Sequence, residues 1–355
     1  MQNNTAAIME FRIEEYKSKE QTEEFWDRLH EYEVEYYKFH DPNDPPPNKE
    51  ALIQRHMADH THSYNKFFAA LTSEHKIIGN AWFWAPAETS PEYEQNKYIC
   101  WVGLYVLHGY WRQGIGTDLL KTLTKEAQTY GRTTIQTGTN HDTGRAFLNK
   151  YGATFTIAGA ESRLEMEDVD WNLMHSWIDE GKKGNEAVTF ESFIECPEEI
   201  LEEFCEMFTE AVNMAPQGES EFRTNIDGKL RREYEKQNRE EGWIHQTLIS
   251  RERDGRISGM TEFYYDPREG YKLRQELTGV RPEFRGRGLG KWLKAYNIIH
   301  IRDTYPEVKR IITGNAIVNA PMLSINKRMG YKEYKSGEGY KFKIEDLVKK
   351  LGLNQ

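Results

Sequence analysis

Two stretches of this chain, VLHGYWRQGIG (residues 106–116) and VRPEFRGRGLG (280–290), align without a gap. Each begins on valine, keeps an aromatic residue at the fifth position, and ends on two glycines with a branched apolar residue between them. Each follows a strand-like run. Each precedes a helical pattern, a short strand and a second helix closed by glycine, Gly152 or Gly330. A repeat offset by about half of 355 residues predicts two copies of one domain, not a solenoid of short units. The copies are predicted at 1–165 and 188–355, joined by a charged, partly helical connection at 166–187 that carries GKKG. The order of elements predicts an α+β fold in each copy, a mixed and mostly antiparallel sheet flanked by helices.

The loop itself suggests chemistry. A strand that ends in a glycine-rich turn before a helix leaves the first helical amides without internal partners. The helix dipole adds partial positive charge there, and glycines let a ligand approach the backbone. These features suit a diphosphate, and Arg285 and Arg287 add cations beside it. Gly288 and Gly290 equally suit tight helix–sheet packing. No GK[ST] closes the loop, so it is not a Walker loop, and no parallel βαβ unit with an acidic residue at the right distance follows to make a dinucleotide fingerprint.

Arg285, Gly288 and Gly290, with Val280 upstream, resemble the [R/Q]-x-x-G-x-[G/A] motif of the GNAT superfamily of acyl-coenzyme A-dependent N-acyltransferases. Asn319, eleven residues before Gly330, resembles that family's second motif. The resemblance runs over nearly the whole chain, twice, and is similar to the tandem arrangement of mycothiol-synthase-like enzymes. It implies acetyl-CoA as donor, with Gly286, Arg287, Gly288, Leu289 and Gly290 around its diphosphate beside Arg285. It implies that the backbone at Gly279, Val280 and Arg281 pairs with the pantetheine arm. Asn319 would hold the pantetheine or orient the acetyl end, with Asn326 among the coenzyme contacts. A primary amine of a small molecule or peptide would attack the thioester directly, with no enzyme nucleophile. No GxSxG elbow or recognisable Cys/His arrangement is present, in agreement.

The second copy is expected to be the catalytic one. The first has Trp111 where Arg285 stands and His141 where Asn319 stands, although Arg112, Gln113 and Asn140 are adjacent. An attacking ammonium needs a base. Glu276 lies four residues before Val280, and strand alternation would put the two on one face. Glu262 is a second candidate, and both are also what a half-exposed sheet carries. The first copy has Val102 in the matching position. The family's tyrosine acid is replaced by Asn326, and by Leu148 in the first copy, so no acid is assigned. A non-catalytic acyl-CoA sensor and an aminoacyl-tRNA-dependent transferase stay open as alternatives on this fold.

A net charge of −10 speaks against nucleic acid as a partner. Cys100, Cys196 and Cys205 form no CxxC pair and suit a reducing, cytoplasmic setting. The first residues lack a basic start and a long apolar run, so no leader or membrane span is expected. His56 and His60 have the spacing of two metal ligands on a helix, but a solvated edge is the plainer reading and no metal is expected. The acceptor is expected between the copies, near the loops DPNDPPPN and NMAPQGES. A monomer is expected, because the second copy can supply the contact that single-copy relatives make by dimerising.

Overall fold

The computed structural model describes residues 10–353. The first half runs β1 (Phe11–Tyr16), α1 (Glu23–His40), α2 (Lys49–Met57), β2 (Ser63–Thr72), β3 (Ile77–Pro86), a short α3 (Tyr93–Asn96) and β4 (Ile99–Val106). It continues with α4 (Ile115–Thr129), β5 (Thr134–Thr139), α5 (Asp142–Lys150) and β6 (Thr154–Glu165). A further helix, α6 (Trp171–Gly184), fills most of the expected connection. The second half repeats the order. It comprises β7 (Thr189–Phe193), α7 (Leu201–Met214), α8 (Gly228–Glu241), β8 (Ile244–Arg251), β9 (Ile257–Tyr265), β10 (Lys272–Val280), α9 (Leu289–Thr304), β11 (Arg310–Ala316), α10 (Ala320–Met329) and β12 (Lys332–Lys343). A last helix, α11 (Ile344–Leu351), follows.

Local chemistry sets these elements. Thr22 accepts a hydrogen bond from the amide of Phe25 and caps α1, whose Phe25, Trp26, Leu29 and Tyr32 turn inward. Asp227 caps α8 through the amide of Leu230, and Gly242 ends it at φ 79°. Among the described residues no helix is long and apolar enough to cross a membrane.

All the described strands join one twelve-stranded sheet, in the order β1-β2-β3-β4-β5-β12-β6-β11-β10-β9-β8-β7. Only β4–β5 and β10–β11 are parallel neighbours. The closing strands are exchanged. β12, last in the chain, pairs with β5 of the first half, and β6 pairs with β11 of the second. The two then pair with each other at the seam, from Lys332 opposite Arg163 to Lys341 opposite Thr154. The cores follow the exchange. Phe342, Leu347 and Val348 bury against Leu119, Leu123 and Ile135 of the first half. Leu164, Met174 and Trp177 bury against Phe263, Ala295 and Ile311 of the second.

The DPNDPPP loop clamps the seam. Asp44 lies 2.9 Å from Arg163 Nη1, and Asp41 lies 2.6 Å from Lys335 Nζ and 3.1 Å from the Tyr334 hydroxyl. From the other side, Ser220 donates to Gln136 at 2.9 Å, and the amide of Glu219 donates to the carbonyl of Thr156 at 3.1 Å. Both loops expected near the acceptor thus fasten one half to the other.

Candidate functional site

β10 and β11 pair only from Lys272–Arg310 to Arg274–Ile312 and then part. On its other side β10 shifts register against β9 between Gln275 and Thr278. Glu276 and Leu277 therefore have no cross-strand partners, and the edge of β10 from Gln275 to Val280 is open toward the gap. Gly279 lets α7 press onto this strand, since a Cβ there would lie 2.7 Å from that of Ala211. The strand leads into a 3-10 turn, Pro282–Phe284, and the guanidinium of Arg285 reaches back to the carbonyl of Val280 at 3.0 Å. Gly286 and Gly288 take φ values of 78° and 80°, which side-chain-bearing residues rarely adopt. α9 then starts at Leu289, capped by Gly288 with no side-chain bond, so its first amides point into the gap unpaired.

Side chains fix this loop from behind. Arg287 bonds Asn185 at 2.8 Å and Glu252 at 3.0 Å, so it offers a ligand its backbone and not a free cation. Arg285 is exposed, with only Val280 and the Met214 sulfur (3.3 Å) as partners among the described residues. The Nη1 of Arg281 lies 3.9 Å from Glu210. Leu289 and Trp292 are buried with Phe284 and Val188, and Val280 packs against them. Gly290 faces Ile325 of α10 and Val280 across the mouth of the gap.

Asn319 is the N-cap residue of α10, makes no capping bond and is half-buried at the gap. Asn326, one helix turn from the end of α10, is buried and donates to Asn315 on β11 at 2.7 Å. Its side-chain oxygen has no partner among the described residues. Glu276 is half-exposed and tied to Arg274. The bulge overturns the alternation argument: Gln275 and Thr278, three residues apart, meet at the same Thr261 hydroxyl, so Glu276, tied to Arg274, falls with Leu277 on the α7 side while Val280 packs on the α9 side. Glu262 is buried and accepts from His245 Nε2 at 2.9 Å, with the imidazole stacked at 4.1 Å on Tyr264. Tyr334 belongs to the seam clamp.

A polar cluster that sequence reasoning missed lies under the bulge. Gln275 donates to Thr261 and Thr278 at 3.1 and 3.2 Å, and accepts from the Tyr331 hydroxyl at 3.2 Å. Lys294 of α9 stands 5.4 Å from the Tyr331 ring, is 2% exposed and has no hydrogen-bonding or ionic partner among the described residues. Burial pushes its pKa down to about 7. Between this value and the roughly 10.4 of an unfolded lysine, the unfolded chain holds a proton that the folded chain lacks. Stability from this group therefore rises with pH. Lys294→Met should be more stable than wild type near neutrality, and that advantage should shrink by roughly 2 kcal/mol between about pH 7 and pH 9. Urea midpoints at the two pH values test this, and a pH-independent difference refutes it.

The first copy keeps the shape of the loop. Arg112 takes φ 65° where Gly286 stands, and Gly114 takes 91°. Trp111 donates its indole N–H to the carbonyl of Val106 at 2.6 Å, as Arg285 does to Val280. The mouth is different. Phe39 stacks on His108 at 4.4 Å, and Trp111 lies 5.5 Å from both Phe39 and His141. His40, beside His141, has its pKa lowered to about 4, first by burial and then by the neighbouring His141 and Lys335. β3 and β4 pair from Gly79–Val106 to Trp84–Trp101 with no bulge. Val102 and Cys100 are buried under α4. His56 bonds the Leu52 carbonyl at 2.9 Å inside the first half, and His60 lies past the end of α2.

In each half the sheet splays at a parallel strand pair with a glycine loop at the splay. A model of the acetyltransferase (GNAT) family matches residues 20–153 and again 198–331. The chain belongs to this family and carries its domain twice. Both matches stop just before the exchanged strands. A tandem GNAT protein from the clavulanic acid biosynthesis pathway superposes at TM-score 0.76 and 17% identity, over 94% of this chain and 99% of that one. A GCN5-related N-acetyltransferase from Sphaerobacter thermophilus superposes at 0.64 and 15% identity, over 94% and 96%. A glucosamine N-acetyltransferase region of a fungal multi-domain β-N-acetylglucosaminidase does so at 0.62 and 15%, over 94% of this chain and 38% of that one. No curated protein matches the sequence.

Proposed function

We propose that the second copy is an acetyl-CoA-dependent N-acetyltransferase acting on a primary amine of a small molecule or peptide. The observation that carries this reading is the open edge of β10 running into unpaired amides at Gly288–Leu289. Acetyl-CoA would supply the acyl group as a thioester. The amides of Leu289, Gly290 and Lys291 suit its diphosphate, with exposed Arg285 adding charge. The free strand edge suits a pantetheine amide, and the bulge leaves an amide to polarise the acyl carbonyl. Asn319 stands at the same gap. Glu276, ion-paired with Arg274, would serve as the base, and the buried Glu262–His245 pair is the reserve. Asn326 cannot act as an acid as a phenol does, so no proton donor is assigned to the leaving coenzyme A.

A sensor without catalysis is favoured by one observation, the absence of an acid at Asn326. The two readings separate in one pair of measurements. At about 100 times its dissociation constant acetyl-CoA stabilises by roughly 2.7 kcal/mol, a thermal shift on the order of 5 °C. Thiol release is then followed across a panel of amines. Binding with release supports the enzyme, and binding with none supports the sensor. Silence with acetyl-CoA and longer acyl-CoAs overturns both.

A further inference from the structure

A cavity of about 720 Å³ lies between the halves, on the opposite side of the first half-sheet from α4. Its walls are aromatic. Trp82, Trp84 and Trp101 come from β3 and β4, Phe222 from the segment before α8, and Tyr234 from α8 itself. The three indoles are half-buried and reachable. Trp84 and Phe222 approach to 5.9 Å between ring centres, so the two halves close one box. The chain is shaped to admit these rings. A Cβ on Gly103 would lie 2.4 Å from Trp82 Nε1, and only glycine lets the indole lie flat on β4.

One charge faces this box. Glu92 is 4% exposed, and its carboxylate accepts a single hydrogen bond, from the amide of Asn225 at 2.9 Å. Among the described residues it has no ion-pair partner, and no lysine, arginine or histidine lines the cavity. Its mounting is rigid. The fully buried Asn96 donates to the carbonyls of Glu92 (3.0 Å) and Arg223 (2.8 Å) and accepts from the amide of Arg223 (2.9 Å). This stitches the carboxylate's helical turn to the facing half. A buried carboxylate without a counter-ion is costly, and burial raises its pKa to about 7. The faces of aromatic rings attract cations, and indole does so best.

We propose that this cavity is a binding site for an organic cation, with an ammonium group seated at Glu92 among the indoles and an apolar or aromatic body filling the rest. Charge complementarity selects that occupant: the box offers one unpaired anion, ring faces, and little else that is polar. The cavity shares α7 with the coenzyme cleft but none of the cleft's residues. Phe208 and Val212 face the cavity, whereas Met207 and Ala211 face β10.

The full chain is titrated with benzyltrimethylammonium, 2-phenylethylamine and the neutral 2-phenylethanol, following tryptophan fluorescence and calorimetric heat. Both cations should bind, and more tightly than the alcohol by about tenfold. Glu92→Gln should remove that preference while leaving the alcohol unchanged. Trp84→Leu, which keeps the carboxylate, should weaken both cations by roughly threefold or more. Equal affinity for alcohol and cations in wild type overturns the proposal, even if a variant does not fold. So does unchanged cation binding in folded Glu92→Gln, or no binding up to about 10 mM. No reading involves coenzyme A, so failure here leaves acetyl transfer by the second copy to its own test.

Discussion

Deleting residues 332–355 should unfold the first half of the chain, although those residues end the second. β12 fills the slot beside β5 that the first half's own closing strand vacates. Tyr340, Phe342, Ile344, Leu347, Val348 and Leu351 are buried in the first half's core, with Leu119, Leu123 and Ile135. Six such side chains at about 1.5–3 kcal/mol each amount to on the order of 10 kcal/mol, comparable to the whole stability of a domain. The deletion also bares one edge of β5 and one edge of β6. Hydrogen exchange should show α4 and β5 losing protection. In the intact chain, Phe342→Ala should cost about 3–5 kcal/mol and act on that same half. Retained protection in α4 after the deletion would mean that the first half closes its sheet with β6, and the exchange would be refuted.

What the sequence made legible, and what it hid, divides by range. The two glycine loops were readable because φ is a local property. Gly114, Gly286 and Gly288 all take the left-handed backbone that their residue type permits. Caps such as Thr22 and Asp227 are local in the same way. The strand exchange was not readable. β6 and β12 each follow the second helix of their own half, and nothing in an alternating pattern states which neighbour a strand will choose. The bulge was hidden because it is a count against a partner strand, and it undid the placing of Glu276 beside Val280 on one face. Arg287 looked free because Asn185 lies far away in sequence. The cover of Phe39, His108 and His141 over the first loop, and the unpaired Glu92, were likewise assembled by tertiary contact. One further element carries a local signal: Ile344, Leu347, Val348 and Leu351 have the spacing of a helix face.

Gly288→Glu should abolish binding of acetyl-CoA, with a loss of about a hundredfold or more, while Gly114→Glu changes it by no more than about twofold. The pair is informative because the two glycines are matched in strain. Their φ values are 80° and 91°, so each substitution costs on the order of 1–2 kcal/mol of backbone energy. Neither is blocked sterically. A Cβ at Gly288 meets only the end of the Lys291 side chain, at 3.3 Å, and a Cβ at Gly114 meets nothing. A carboxylate at a helix N-terminus is itself favourable to the helix, so both variants should fold. What differs is the loop's use. In the second copy the new carboxylate would face unpaired amides, exposed Arg285 and an open strand edge, and would repel a diphosphate from the place it needs. In the first copy it would stand beside Trp111, in the place of Arg285, and its aromatic neighbours. Arg285→Ala should weaken binding by about tenfold, since it removes charge and leaves the amides. Calorimetric titration of all three variants reads the result. Loss in Gly114→Glu with retention in Gly288→Glu would move the coenzyme to the first copy and overturn the assignment. Halved stoichiometry in each of the two glycine variants would mean that both loops hold it.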